Sequence, residues 1–177
     1  MKKTILVISF IMIISSYLTA EAYPPENWNP SLVNAAQQAS EENKYLLLNF
    51  TGSDWCIWCT RLRDQVFSTD DFKDWADENA VLVYLDFPSE RELPQNQITH
   101  NSYLQQFLGV KGYPSIWLFD NDFTPLLVTG YREGGSEKYI THLENDRLDI
   151  EADQISQFKV QMKDFIETYL KPLNVTP

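Results

Sequence analysis

A compact apolar run, "YLLLNF" from Tyr45 to Phe50, leads straight into "TGSDWCIWC", which holds Cys56 and Cys59, the 2 cysteines of the chain. A short apolar run bounded by turn residues reads as a buried strand. Cys56 therefore falls where a buried strand gives way to a helix, and that junction ties the chain to an α/β architecture. Two readings of the pair compete: a structural clip or metal-ligand pair, and a working dithiol. As a clip it would do little, because closing so short a loop removes little entropy from the unfolded chain. A zinc site needs four ligands, usually with a second Cys or His pair. Here the other candidates are His100 and His142, each alone and far along the chain, so no metal site is expected. A copper-handling variant stays open, although no Met or His lies beside the motif.

The dithiol reading has a physical basis in position. The first turn of a helix carries unsatisfied N–H groups and a positive partial charge. A thiolate there is stabilised and its pKa falls, and the thiolate is the nucleophile of disulfide exchange. Cys56 is thus the expected attacking residue. Cys59 lies one turn along, on the buried side, where it can attack Cys56 once a mixed disulfide has formed. Trp55 and Trp58 flank the pair. Large apolar side chains at an exposed helix start can grip unfolded or partly folded protein. Trp58 reads first as a recognition residue, Trp55 equally as recognition or packing, and Trp75 and Trp117 as core. Trp28 reads as packing at the domain entrance.

The rest of the chain supplies the other layers. "NPSLVNAAQQASEENK" opens on a helix-entry signal and repeats apolar residues at helical spacing. Cys59, Leu62 and Val66 share a helical face, and a second helical stretch puts Phe72, Trp75 and Ala76 inward. Val81–Phe87 reads as another buried strand, followed by a helix ending near Gly109. Ser115–Asp120 and Pro125–Gly130 read as a hairpin. Ser136 is the expected cap of a further helix. The last helix carries Ile155, Phe158, Met162, Phe165, Ile166 and Tyr169 on one stripe. Two strand–helix–strand units imply parallel pairing, and the hairpin adds antiparallel strands. The expected fold is a mixed central sheet with helices on both faces and an extra C-terminal helix.

Lys2 and Lys3, the apolar stretch Thr4–Leu18 and the A-x-A pattern at Ala20 and Ala22 have the layout of a cleaved secretory signal. The apolar run is shorter than the roughly 20 residues needed to span a bilayer. The expectation is a signal peptide over residues 1–22 and one domain over 23–177, with a core of about 28–147 and a helical extension of about 152–171. Net charge is −11, which repels phosphate backbones and disfavours nucleic acid.

Strand, Trp-Cys-x-x-Cys and a later aromatic–Pro dipeptide before a strand resemble the thioredoxin superfamily. The longer strings "FTGSDWCIWCTRLRDQVF", "DFP" and "GYPSIWLFD" resemble its exported members of the DsbH type, periplasmic disulfide oxidoreductases. The resemblance runs from about Trp28 to about Leu143 and implies a thioredoxin-like fold. It implies that Cys56 attacks and Cys59 resolves, forming a redox-active disulfide. It implies that Pro114 is a cis-proline facing them, preceded by Tyr113, and that the backbone there pairs with an incoming substrate strand. No cofactor is implied. The implied partners are protein disulfide substrates and a membrane or periplasmic redox partner that recharges the dithiol, and a monomer is expected.

Two departures stand out. Thioredoxins proper carry a buried Asp in the strand before the motif, and Asn49 stands nearest that place here. An amide is neither acid nor base at neutral pH, so proton handling at Cys59 falls to Asp54, water or another group. Asp54 reads more readily as a solvated or capping residue. Between the cysteines, Ile57 and Trp58 bring no positive charge, which points toward a reductase or isomerase rather than a strong oxidant. A binding module that keeps the dithiol as a latch, and a dedicated reductase for cytochrome c maturation, remain the alternatives.

Overall fold

The computed structural model describes residues 23–176. The expected signal segment, 1–22, lies outside the described residues. Five strands form one sheet in the order β1-β3-β2-β4-β5: β1 is Trp28–Asn29, β2 Tyr45–Thr51, β3 Ala80–Asp86, β4 Ser115–Phe119 and β5 Pro125–Thr129. β2 runs parallel to β3 with Leu47 opposite Leu82, and antiparallel to β4 with Leu47 opposite Leu118. Of the two parallel units expected, the one joining β2 to β3 is present. β4 instead enters the sheet antiparallel to β2, because a helix–strand pattern does not encode the end of the sheet at which the chain re-enters. β1, which pairs parallel with β3, is too short to leave a local signal in the sequence.

Strand alternation divides the core in two. Leu46, Leu48 and Phe50 of β2 join Val81, Val83 and Leu85 of β3 on one face. That face is covered by α1 (Leu32–Glu42), α4 (Gln95–Phe107) and the C-terminal α6 (Ala152–Phe165). Leu47, Leu82, Ile116 and Leu118 point the other way, onto α2 (Ile57–Leu62), α3 (Asp70–Asn79) and α5 (Gly135–Asn145). Helices thus lie on both faces of a mixed sheet.

Local chemistry sets the helix ends. Ser31 caps α1 by accepting from the Asn34 N–H, and Thr69 caps α3 by accepting from Phe72. Ser136 is not the cap expected of α5. The helix opens instead at Gly134 and Gly135, both at positive φ, and the Ser136 hydroxyl donates to Asp71 on α3. After Phe165 the last helix continues as a wider turn, Ile166–Leu170, and Met162, Ile166 and Leu170 are buried on the first face. No helix among the described residues is long and apolar enough to cross a membrane.

Candidate active site

The loop between β2 and α2 is held by three successive side chains. Ser53 donates to the Asp86 carboxyl through its backbone N–H at 3.0 Å and its hydroxyl at 2.6 Å. The Asp54 carboxylate accepts backbone N–H groups from Ser89, Glu90 and Arg91 at 2.7–3.1 Å. The Trp55 indole N–H donates to the Phe87 carbonyl at 2.8 Å. All these partners lie at the end of β3 or just beyond it, so the end of β3 sets the approach of the chain to Cys56. Gly52 is required beneath: a Cβ there would lie 2.4 Å from the Trp55 ring.

This clasp delivers Cys56 to the N-cap position of α2, where its sulfur accepts the Cys59 N–H at 3.2 Å. Cys56 and Cys59 form a disulfide with Cα atoms 5.2 Å apart. The first turn holds no acidic residue, and Arg61 lies in the last. Whole-residue exposure does not separate the two cysteines, against the expectation of an open Cys56 and a buried Cys59: Cys56 is 6% exposed and Cys59 5%. What distinguishes Cys56 is its place at the open end of the helix.

Apolar surface surrounds the disulfide. Trp55 is 54% exposed and Trp58 47%, with Ile57 exposed between them. Trp55 meets the Tyr113 ring edge-on at 5.7 Å. Trp58 lies 5.3 Å from the Tyr131 ring and carries the Arg61 guanidinium over its face at 4.6 Å. The Tyr113–Pro114 bond is cis. Phe50 pairs with Ser115, so Pro114 stands at the end of the sheet from which the cysteine loop departs. Gln105 donates to the Tyr113 hydroxyl, and burial pushes that phenol above its usual pKa. Tyr131 has no signature in the sequence, because its contact with Trp58 crosses from the β5–α5 connection.

The groups weighed for proton handling lie in distinct places. Asp54 is committed to its loop, and those hydrogen bonds hold its carboxyl below the usual range. Asp86, which carries no motif of its own, is buried, and burial raises its pKa. Asn49 is buried in β2 on the Leu47 face, and its Oδ1 has no hydrogen-bond partner among the described residues. His100 accepts the Leu32 N–H at 3.2 Å, and His142 pairs with Asp146 and Thr129. Both histidines are structural.

A disulfide at the mouth of a parallel strand–helix unit, beside a cis X-Pro bond in a mixed sheet, is the arrangement of one fold family. The chain belongs to the thioredoxin-like domain family, whose model matches residues 32–144. The disulfide bond reductase DsbH of Chlamydia pneumoniae is 30% identical over 115 residues, which are 65% of this chain and 69% of that protein. A solved DsbH oxidoreductase superposes with a TM-score of 0.63 at 31% identity, covering 66% of this chain and 81% of that one. Spermatogenesis-associated protein 20 of Mus musculus is 29% identical over 105 residues, 59% of this chain but 13% of that protein. Fold, family and dithiol make the chain a protein-disulfide oxidoreductase of the thioredoxin class.

Proposed function

We propose that the protein is an exported, periplasmic protein-disulfide reductase that works through a mixed disulfide. The observation that carries this reading is the Cys56 sulfur at the start of α2, accepting the Cys59 N–H. The same N–H favours the thiolate once the disulfide is reduced. Cys56 attacks a substrate disulfide, and Cys59 attacks Cys56 to release the reduced product. Trp55, Trp58, Tyr113 and Pro114 form the substrate-binding rim, to which Tyr131 is added. The reducing direction is supported by the Chlamydia pneumoniae relative, named a disulfide bond reductase, and by the uncharged Ile57–Trp58 dipeptide. Export is supported by the basic start, apolar stretch and A-x-A pattern of residues 1–22, and the mature chain is then one domain acting as a monomer. Its substrates are protein disulfides, and a membrane or periplasmic partner supplies its electrons.

The mature chain should catalyse insulin disulfide reduction in the presence of dithiothreitol. Cys56→Ser should abolish the activity, and Cys59→Ala should accumulate mixed disulfides with substrate. If neither Cys56→Ser nor Cys59→Ser slows the reaction, the dithiol mechanism is wrong.

A further inference from the structure

Acidic residues outnumber basic ones in this chain by 25 to 14, so a cation without a carboxylate is the exception to explain. Lys44, Arg63, Lys73, Lys159, Lys163 and Lys171 each hold a carboxylate at ion-pair distance. Arg91 lies over the Tyr23 ring within the field of Asp86, and Arg147 donates to the Leu143 and Asp146 carbonyls. Among the described residues, Arg61, Lys111, Arg132 and Lys138 are in no ion pair. Lys138 lies against Gly134 at the start of α5.

The other three border the disulfide. The Arg61 guanidinium covers the face of Trp58 at 4.6 Å. Arg132 is exposed and follows Tyr131, whose ring meets Trp58 at 5.3 Å. Lys111 is exposed and lines the groove that runs to Tyr113 and Pro114. Nearby acids are engaged elsewhere. Asp64 pairs with Arg63, and the Asp54 carboxylate accepts three backbone N–H groups. Glu133 follows Arg132 in sequence and is exposed, but it forms no ion pair with it.

We propose that the rim selects protein disulfides whose reacting cysteine is flanked by acidic side chains. Arg61 and Arg132 receive a carboxylate on the Trp58–Tyr131 side, and Lys111 receives one on the Tyr113–Pro114 side. The inference rests on the reductase reading above and narrows its substrate class. A guanidinium lying on an aromatic face keeps its N–H fork open at the edge, and that fork matches a carboxylate. The overall charge of −11 acts the opposite way, drawing basic chains at long range. At about 0.15 M ionic strength its reach is cut to about 8 Å, so contact at the rim decides. The apolar rings hold a substrate chain, and the cations choose among chains.

The test uses three symmetric peptide disulfides of one sequence, with Glu, Gln or Lys on both sides of the cysteine. Each is mixed with the reduced mature chain and quenched with acid, and the oxidised chain is read by mass spectrometry. Each rate is divided by that peptide's rate with dithiothreitol alone, which removes the effect of the flanking charge on the disulfide itself. At about 0.15 M salt the Glu peptide should exceed the Lys peptide by about tenfold, the size of one or two exposed ion pairs. The Gln peptide should fall between them. In 1 M salt, where charges are screened beyond about 3 Å, the ratio should approach one. Arg61→Glu with Arg132→Glu should shrink the ratio, and adding Lys111→Glu should invert it. Ratios within one variant cancel any change common to all three peptides. Should the multiply substituted chain not fold, Arg132→Gln alone should still lower the ratio. A parent ratio of one or less, or a ratio that the substitutions do not move, overturns the inference, and reduction of all three peptides then leaves the reductase reading intact. If the reduced chain reduces none of the peptides, both readings fail.

Discussion

Asp86 holds Ser53 twice, through the backbone N–H at 3.0 Å and the hydroxyl at 2.6 Å. The pair joins the last residue of β3 to the loop that presents Cys56. Asp86 is level with Thr51 in the parallel register, so the contact continues the β2–β3 ladder by other means. The network extends behind it. Asn101 on α4 donates to the Asp86 carbonyl at 2.9 Å and accepts from His100, whose other nitrogen accepts the Leu32 N–H at the start of α1. Polar groups thus connect the first turn of α1, α4 and the cysteine loop.

Asp86 carries a pH signature. Burial raises its carboxyl pKa above 3.8 in the folded chain, with the Ser53 hydrogen bonds opposing. Between the unfolded and folded values the folded chain binds more protons, so stability falls as pH rises through the folded value. Asp86→Asn removes that dependence and still pairs with Ser53, the Ser53 N–H donating to the amide oxygen and the new amide N–H donating to the Ser53 hydroxyl oxygen. Urea unfolding at a series of pH values should show the Asp86→Asn variant gaining on the parent from acid toward neutrality. An unchanged difference across pH would place the carboxyl's charge elsewhere.

His100 gives the opposite slope. Its Nε2 accepts the Leu32 N–H, so the proton sits on Nδ1, which donates to Asn101. Burial depresses its pKa below 6.5. The unfolded chain takes up a proton as pH falls below 6.5 while the folded chain does not. Its contribution is therefore whole above that value and lost as pH falls through the folded pKa, by about 1.4 kcal/mol per unit of depression. His100→Gln keeps an acceptor for Leu32 without a titrating group. The variant should lose less stability than the parent between neutral and mildly acid pH, read by the same urea titrations.

Trp58 tests the substrate rim. It is exposed and touches Tyr131 and Arg61, so Trp58→Ala should change stability by no more than about 0.5 kcal/mol. On the reading that the rim grips protein substrates, its loss should lower kcat/KM for insulin by about 1 kcal/mol, roughly fivefold. Reduction of a small aromatic disulfide should be unaffected. Equal losses on both substrates would move Trp58 from recognition to the dithiol itself.

Local patterns were legible and long-range ones were not. The apolar run Tyr45–Phe50, the cysteine pair at the following helix start and the Tyr113–Pro114 dipeptide are each contained in a few consecutive residues, and each is found where its pattern placed it. Asp86 falls in sequence inside the expected buried strand Val81–Phe87 and carries no motif of its own. Its burial comes from Ser53, 33 residues away, and from α4 packing above it. Tyr131 and the antiparallel entry of β4 are likewise products of chain crossing, for which periodicity has no signal. Asn49 was visible as an amide in an apolar run. The cavity that Asn49 helps to line required the tertiary structure, because its walls come from β2, β3, α2, α3 and the N-terminal segment.

The C-terminal helix is core, and Met162 is its test. Met162 is fully buried with Ile166 and Leu170 against the α1–α4 face. Beside it Phe165 stacks on Phe107 at 4.3 Å and Phe158 on Phe119 at 5.9 Å. The helix therefore covers sheet residues whose partners would otherwise be water. Met162→Ala should cost about 2–5 kcal/mol, the range for emptying a buried large side chain. Val160→Ala, two residues away on the exposed face, should stay within about 0.5 kcal/mol, since Ala suits a helix better than a β-branched residue. The comparison is made by urea unfolding, with insulin reduction measured in parallel. A Met162→Ala cost no larger than that of Val160→Ala would mean that α6 is an appendage and that the first core closes without it.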